Sequence, residues 1–212
     1  MTTRTLTALV GFLLVALAGP ASVRADEATK RNLIERGNAA LRGAQRHPVE
    51  GRLGDARRHA KRATALFSQV ETQRQADPEA AFLLVQAAVF AGDAKAANRW
   101  LETYVTRSAY GEQDPNVHYA RGLIQLLLER RSAAALDSLE QMRRVARGAS
   151  DRGRDTLYYQ ALMAESGRLI QSGAAKKAIP FLQKAGRMAI QLRDRRKELA
   201  ARSNAGIAWQ IS

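Results

Sequence analysis

Three histidines, a few serines inside helical stretches, one glycine-flanked loop and two runs of arginine and lysine are the residues of this chain whose types could do chemistry. His47, His59 and His118 share no helical spacing, and the chain has no cysteine to complete a metal site with them. His59 also stands among Arg57, Arg58, Lys61 and Arg62, whose charge would repel a cation. No metal and no cofactor are expected. Ser68, Ser138 and Ser166 fall within helical segments, and none sits in a Gly-x-Ser-x-Gly elbow that would present its hydroxyl as a nucleophile. The loop Gly148-Ala-Ser-Asp-Arg-Gly153 has the glycines of a phosphate cradle but neither the Gly-Lys-Ser/Thr ending nor a preceding strand, so it reads as a connector. The carboxylate pairs Glu71 with Asp77 and Asp151 with Asp155 lie in loops or at helix ends, where capping accounts for them. With no acid and base converging on a cleft, the pattern points away from an enzyme.

The basic clusters carry more information. Arg57, Arg58, Lys61 and Arg62 share one side of a helix, and Arg193, Arg195, Arg196 and Lys197 open the last one. Four adjacent charges focus an anionic partner by several kT. No aromatic side chain is interleaved with them, so the stacking platform of a single-strand nucleic-acid binder is missing and no nucleic-acid partner is expected. The whole chain has 34 Lys and Arg against 20 Asp and Glu, a formal net charge of +14. Two readings stay open: solvated helix faces, or surfaces for an anionic envelope polymer or lipid headgroups.

The amino terminus indicates where the chain works. Arg4, the apolar run Leu6 to Ala18, the breaker Gly19-Pro20 and the small-residue site Val23-Arg24-Ala25 spell a signal peptide over 1–25, with cleavage expected before Asp26. The run falls short of the roughly 20 residues a spanning helix needs. Without cysteine there is no disulfide and no lipidated cysteine, so residues 26–212 are expected as one exported, soluble domain, periplasmic or secreted.

The elements that position these residues are helices. Aromatic residues are 6% of the chain and β-branched residues nowhere alternate with polar ones, whereas Ala, Leu, Arg and Gln dominate. Turn chemistry at Gly43 to Gly54, Asp77-Pro78, Gly92-Asp93, Gly111 to Pro115, Gly148 to Gly153 and Gly173 divides the chain. The spacing predicts about nine helices, near 28–43, 54–74, 79–91, 93–107, 116–130, 132–147, 154–172, 174–191 and 194–210. Apolar stripes such as Phe82, Val85, Val89 and Leu123, Leu126, Leu127 recur at helical period.

A unit recurs as well. An apolar helix is followed by Gly92-Asp93, Ala97 and Leu101 in one copy, and by Gly173, Ala178 and Leu182 in another; a third has Tyr119, Leu123 and Leu126, then Ala135, Leu139 and Met142, with Arg130-Arg131-Ser132 in place of the turn glycine. These residues resemble the tetratricopeptide repeat family, above all in Gly173-Ala-Ala-Lys-Lys-Ala-Ile-Pro-Phe-Leu-Gln-Lys-Ala185, where even the interior Pro180 fits. The likeness is good over 78–190 and weaker over 28–74. Ala97, Ala135 and Ala178 lie 38 and 43 residues apart, against a usual period of about 34, so the surplus falls in the loops near 107–115 and 147–155.

The resemblance implies an all-α, right-handed superhelix (a solenoid) of about four antiparallel helical hairpins plus a C-terminal capping helix, with Trp209 covering Phe181 or Leu182. It also implies a protein-protein adaptor that takes a peptide or protein partner in a concave groove lined by first helices. At matching positions that selects Phe82, Gln86 and Phe90, then Ile124 and Leu128, then Gln160, Met163 and Gln171; ordinary packing between hairpins is the competing reading of the apolar members.

Overall fold

The structure is a computed structural model that describes residues 27–45, 53–73, 77–146 and 151–212. The expected signal peptide over 1–25 with its expected cleavage site, His47, and much of the loops Gly43 to Gly54 and Gly148 to Gly153 lie outside the described residues. Among those described, the secondary structure is all helical and strands are absent. The helices are α1 (27–45), α2 (Leu53–Gln73), α3 (Pro78–Ala91), α4 (Ala94–Arg107), α5 (Pro115–Leu127), α6 (Ser132–Val145), α7 (Arg152–Gln171), α8 (Ala175–Gln191) and α9 (Arg195–Gln210), with a short 3-10 turn Gly111–Gln113 before α5. No described helix is long and apolar enough to cross a membrane. The chain divides between Gln75 and Ala76 into two compact units.

In the first unit α1 and α2 meet at glycine. A Cβ on Gly37 would stand 2.3 Å from the fully buried Phe67 ring, and one on Gly43 would stand 2.7 Å from the His59 imidazole. In the second unit consecutive helices pack as antiparallel pairs, α3 on α4, α5 on α6, α7 on α8, with α9 against α8. Pairs then meet through α5 on α3 and α4, and through α7 on α6.

Aspartates start five of these helices. Asp77, Asp93, Asp114, Asp151 and Asp194 each accept a backbone N–H of the first turn, at 2.8 to 3.1 Å, which satisfies donors that have no partner inside the helix. Four turns close in a similar way: the amide after a left-handed residue reaches back five positions, as Asp93 to Ala88, Ala174 to Leu169 and Asp194 to Ala189, or six, as Arg131 to Gln125. The left-handed residue is Gly92 (φ 82°), Arg130 (φ 56°), Gly173 (φ 77°) and Arg193 (φ 53°). Glycine adopts this region without cost, whereas arginine is strained in it. Because Arg130 closes α5, that helix ends at Leu127, three residues before the sequence expectation.

The main core of the second unit joins Val85 and Val89 of α3, Ala97 and Leu101 of α4, Leu123 and Ile124 of α5, Leu139 and Met142 of α6, and Tyr158 and Leu162 of α7. Small residues let the axes close. Ala97, Ala135 and Ala178, the alanines of the recurring unit, are all fully buried. Leu127, expected on the apolar stripe of α5, is instead exposed. Trp209 departs further: its indole is 61% exposed rather than laid on Phe181 or Leu182, because α9 approaches its neighbours through Ala201 and Ala208, and that rotation carries residue 209 outward.

Candidate partner-binding groove

The residues selected as a groove separate into two sets. Phe82 is half-buried and stacks at a tilt on Tyr104 (5.3 Å between centroids) and Tyr119 (6.2 Å), which ties it into packing between α3, α4 and α5. Gln86 and Phe90 are half-buried further along α3. Ile124 is a correction: at 2% exposure it belongs to the core, since α5 turns it toward α6 and α7, and it cannot touch a partner. Leu128 packs against the same core from its edge, and Gln160 is exposed.

Met163 and Gln171, by contrast, line a concavity. A groove of about 490 Å³ runs between the end of α5 with its turn (Leu126, Arg130, Ser132) and one face of α7 (Met163, Ala164, Gly167, Arg168, Gln171). Its floor is apolar and its rim polar. A Cβ on Gly167 would meet nothing within 4 Å, so this glycine leaves the floor open.

One rim is anchored by a buried carboxylate. Glu165, 4% exposed, accepts Ser132 Oγ at 2.7 Å and both a 2.9 Å and a 2.5 Å bond from the Arg168 guanidinium. Those guanidinium bonds, aided by Ser132, hold its carboxyl below the usual range despite burial, and they raise Arg168 in turn. Arg168 is therefore fixed in place and largely neutralised. Arg130, on the opposite rim, makes no side-chain hydrogen bond or ion pair among the described residues, so the net charge offered to a ligand is its own. In the sequence Arg130 stands out only because Arg130-Arg131-Ser132 replaces the turn glycine of the other copies, and Gly167, Glu165 and Arg168 carry no local signal.

Other polar groups are engaged in structure. Ser138 donates to Gln125 and Ser166 to the Leu162 carbonyl, so neither hydroxyl is poised as a nucleophile. Asp155 lies in the first turn of α7, at the helix end expected of it, and is buried, where it takes Arg143 of α6 at 2.6 Å. Tyr158 donates to Glu140 (3.0 Å), which also accepts Lys184 Nζ (2.7 Å), tying α6, α7 and α8 together. His118 is half-buried, and burial with the charge of Arg121 lowers its pKa. No group of three or more metal-ligating side chains occurs among the described residues.

The two basic clusters also differ. Arg57, Arg58, Lys61 and Arg62 are all exposed on α2, with Arg58 paired to Asp55. In the second cluster Lys197 folds back on Asp194 while its carbonyl accepts the Tyr159 phenol at 2.9 Å, whereas Arg193, Arg195 and Arg196 are exposed and make no ion pair among the described residues.

Compared with known proteins, the chain matches no family model, no curated protein and no solved structure.

Proposed function

We propose that this chain is an exported, non-catalytic adaptor whose helical pairs continue as a right-handed superhelix of the tetratricopeptide kind, and that it holds a peptide segment of a partner protein in the groove between the α5–α6 turn and α7. The observation that carries this reading is the unpaired Arg130, kept in a strained left-handed turn at the rim of an apolar groove, where Gly92 and Gly173 stand in two of the other three such turns. An apolar floor with one uncommitted cation suits an apolar side chain next to a carboxylate, and Gln171 can bond the peptide backbone. Groove recognition of this sort depends on shape, so it should withstand salt better than charge alone.

Two substitutions test it. Gly167→Leu fills the groove without touching the core and, by helix propensity, should leave stability equal or higher by up to about 1 kcal/mol. Arg130→Gly relieves the turn and should stabilise by about 1 kcal/mol while removing the rim cation. Residues 26–212 as bait in an envelope extract should retain a discrete protein through a high-salt wash. That protein should be lost from the Gly167→Leu bait and weakened about tenfold by Arg130→Gly, the cost of an unmade charge-assisted bond. Equal recovery on both variants, or loss of everything at high salt, would remove the groove as the functional surface.

A further inference from the structure

We infer that the outward face of α9 is a docking surface for an anionic lipid bilayer, independent of the groove. Apart from Lys197 at Tyr159, the helix meets its neighbours through alanine, Ala201 and Ala208 being buried and Ala205 partly so, and leaves its large apolar side chains exposed. Leu199 is 57% exposed, Ile207 47%, Trp209 61% and Ile211 59%, which makes this segment the main concentration of exposed large apolar residues among those described. At about 100° per residue, Leu199 and Ile207 fall on the same outward half of the helix as Arg195, Arg196 and Arg202, with Trp209 at the edge of that half.

The charges at this face are largely uncommitted. Arg202 pairs with Glu198 at 2.6 Å, but Arg193, Arg195 and Arg196 make no ion pair among the described residues, and Arg193 holds the left-handed turn position that Gly92 and Gly173 occupy elsewhere. A cation is thus kept where glycine would be less strained, at the mouth of the apolar face. The α2 cluster lacks this combination, because no large apolar residue is exposed beside it among the described residues.

The shape selects lipid over a protein segment. The exposed face of a single helix gives a peptide no walls to enter between, whereas a bilayer surface requires only apolar side chains that reach the acyl boundary and cations that stay among the headgroups, with tryptophan at the interface between them. A second copy of the chain would bring the same net charge of +14 toward this basic face.

Trp209 reports on its own environment once Trp100, the other tryptophan, is replaced by Phe. Residues 6–18 of the full chain can themselves enter lipid, so emission and acrylamide quenching of Trp209 are the readouts rather than vesicle sedimentation. With vesicles of phosphatidylcholine and phosphatidylglycerol, Trp209 emission should shift to the blue and quenching should fall. Salt should reverse both, and neutral vesicles should produce neither. Arg195→Gln with Arg196→Gln should weaken the apparent affinity by roughly 10- to 30-fold, at about one kilocalorie per surface arginine. Should Trp100→Phe not fold, the difference between the unaltered chain and its Trp209→Phe variant gives the same reading. Trp209 that stays fully quenchable on anionic vesicles overturns the inference, as does an equal shift on neutral ones. A lipid-free blue shift that grows with protein concentration would overturn it too, and would make α9 a self-association surface.

Discussion

Gly122→Val should destabilise the second unit by about 3 kcal/mol, the upper part of the range for overpacking a fixed core. Gly122 lies buried on α5 where it crosses α6, and a Cβ there would stand 2.6 Å from Cγ and 2.8 Å from Cδ2 of Leu139. Leu139 has no exposed surface and is held among the core residues of α4 to α7, so it has nowhere to retreat. Gly122→Ala should fall between, because the roughly 1 kcal/mol gained in helix propensity opposes the clash. Gly186→Ala on α8 is the control: its added Cβ meets nothing within 4 Å, and it should gain about 1 kcal/mol. Urea unfolding of the three variants, with unchanged slope and shifted midpoint, reads these differences directly. If Gly122→Val unfolded at the wild-type midpoint, the close approach of α5 and α6 would be wrong.

Asp114→Ala should cost a similar amount, about 2 to 4 kcal/mol, through two separable losses. The carboxylate caps α5 through the Asn116 N–H at 2.8 Å. It also accepts the Tyr104 phenol at 2.7 Å and Ser108 Oγ at 2.5 Å, while Asn116 Oδ1 accepts Arg154 of α7 at 2.7 Å. Removing the carboxylate leaves the buried Tyr104 hydroxyl without its acceptor. Burial by itself would raise the Asp114 pKa, but the bonds from Ser108, Tyr104 and the Asn116 N–H, with the charge of Arg154 nearby, outweigh it and hold the carboxyl below the usual range. A depressed carboxyl stabilises the fold above its unfolded value of about 4 and loses that contribution as pH falls through the lower folded value. Tyr104 has the opposite sense: burial, then its bond to Asp114, pushes it up to about 12, so its contribution is present below about 10 and is lost as pH rises through 12. Melting temperatures of wild type and Asp114→Asn should therefore converge in acid and differ most near neutrality. A constant gap from pH 7 down to about pH 2 would show that the charge of Asp114 is not what stabilises the turn.

Much of the helical segmentation was legible because its signals are local. Asp77-Pro78, Asp93, Asp114-Pro115 and Asp194 stop one helix and cap the next through bonds made within three residues, and Gly92 and Gly173 mark turns only glycine enters freely. The candidate groove was legible only in part. Met163 and Gln171 were selected by family likeness, yet their neighbours Gly167, Arg168 and Arg130 come together only when α7 lies beside the α5–α6 turn.

The sequence by itself determined that this protein is helical and where most helices begin and end, because caps, turn glycines and helical period act over a few residues. Tertiary structure decided which side of each helix is covered. On α3, which is apolar nearly all round, the period names no unique face, so Phe82 could be read as groove or core until Tyr104 and Tyr119 closed on it. The same holds for Ile124, taken inward by the packing of α5, and for Trp209, turned outward by two alanines, since burial depends on contacts between residues far apart in the chain.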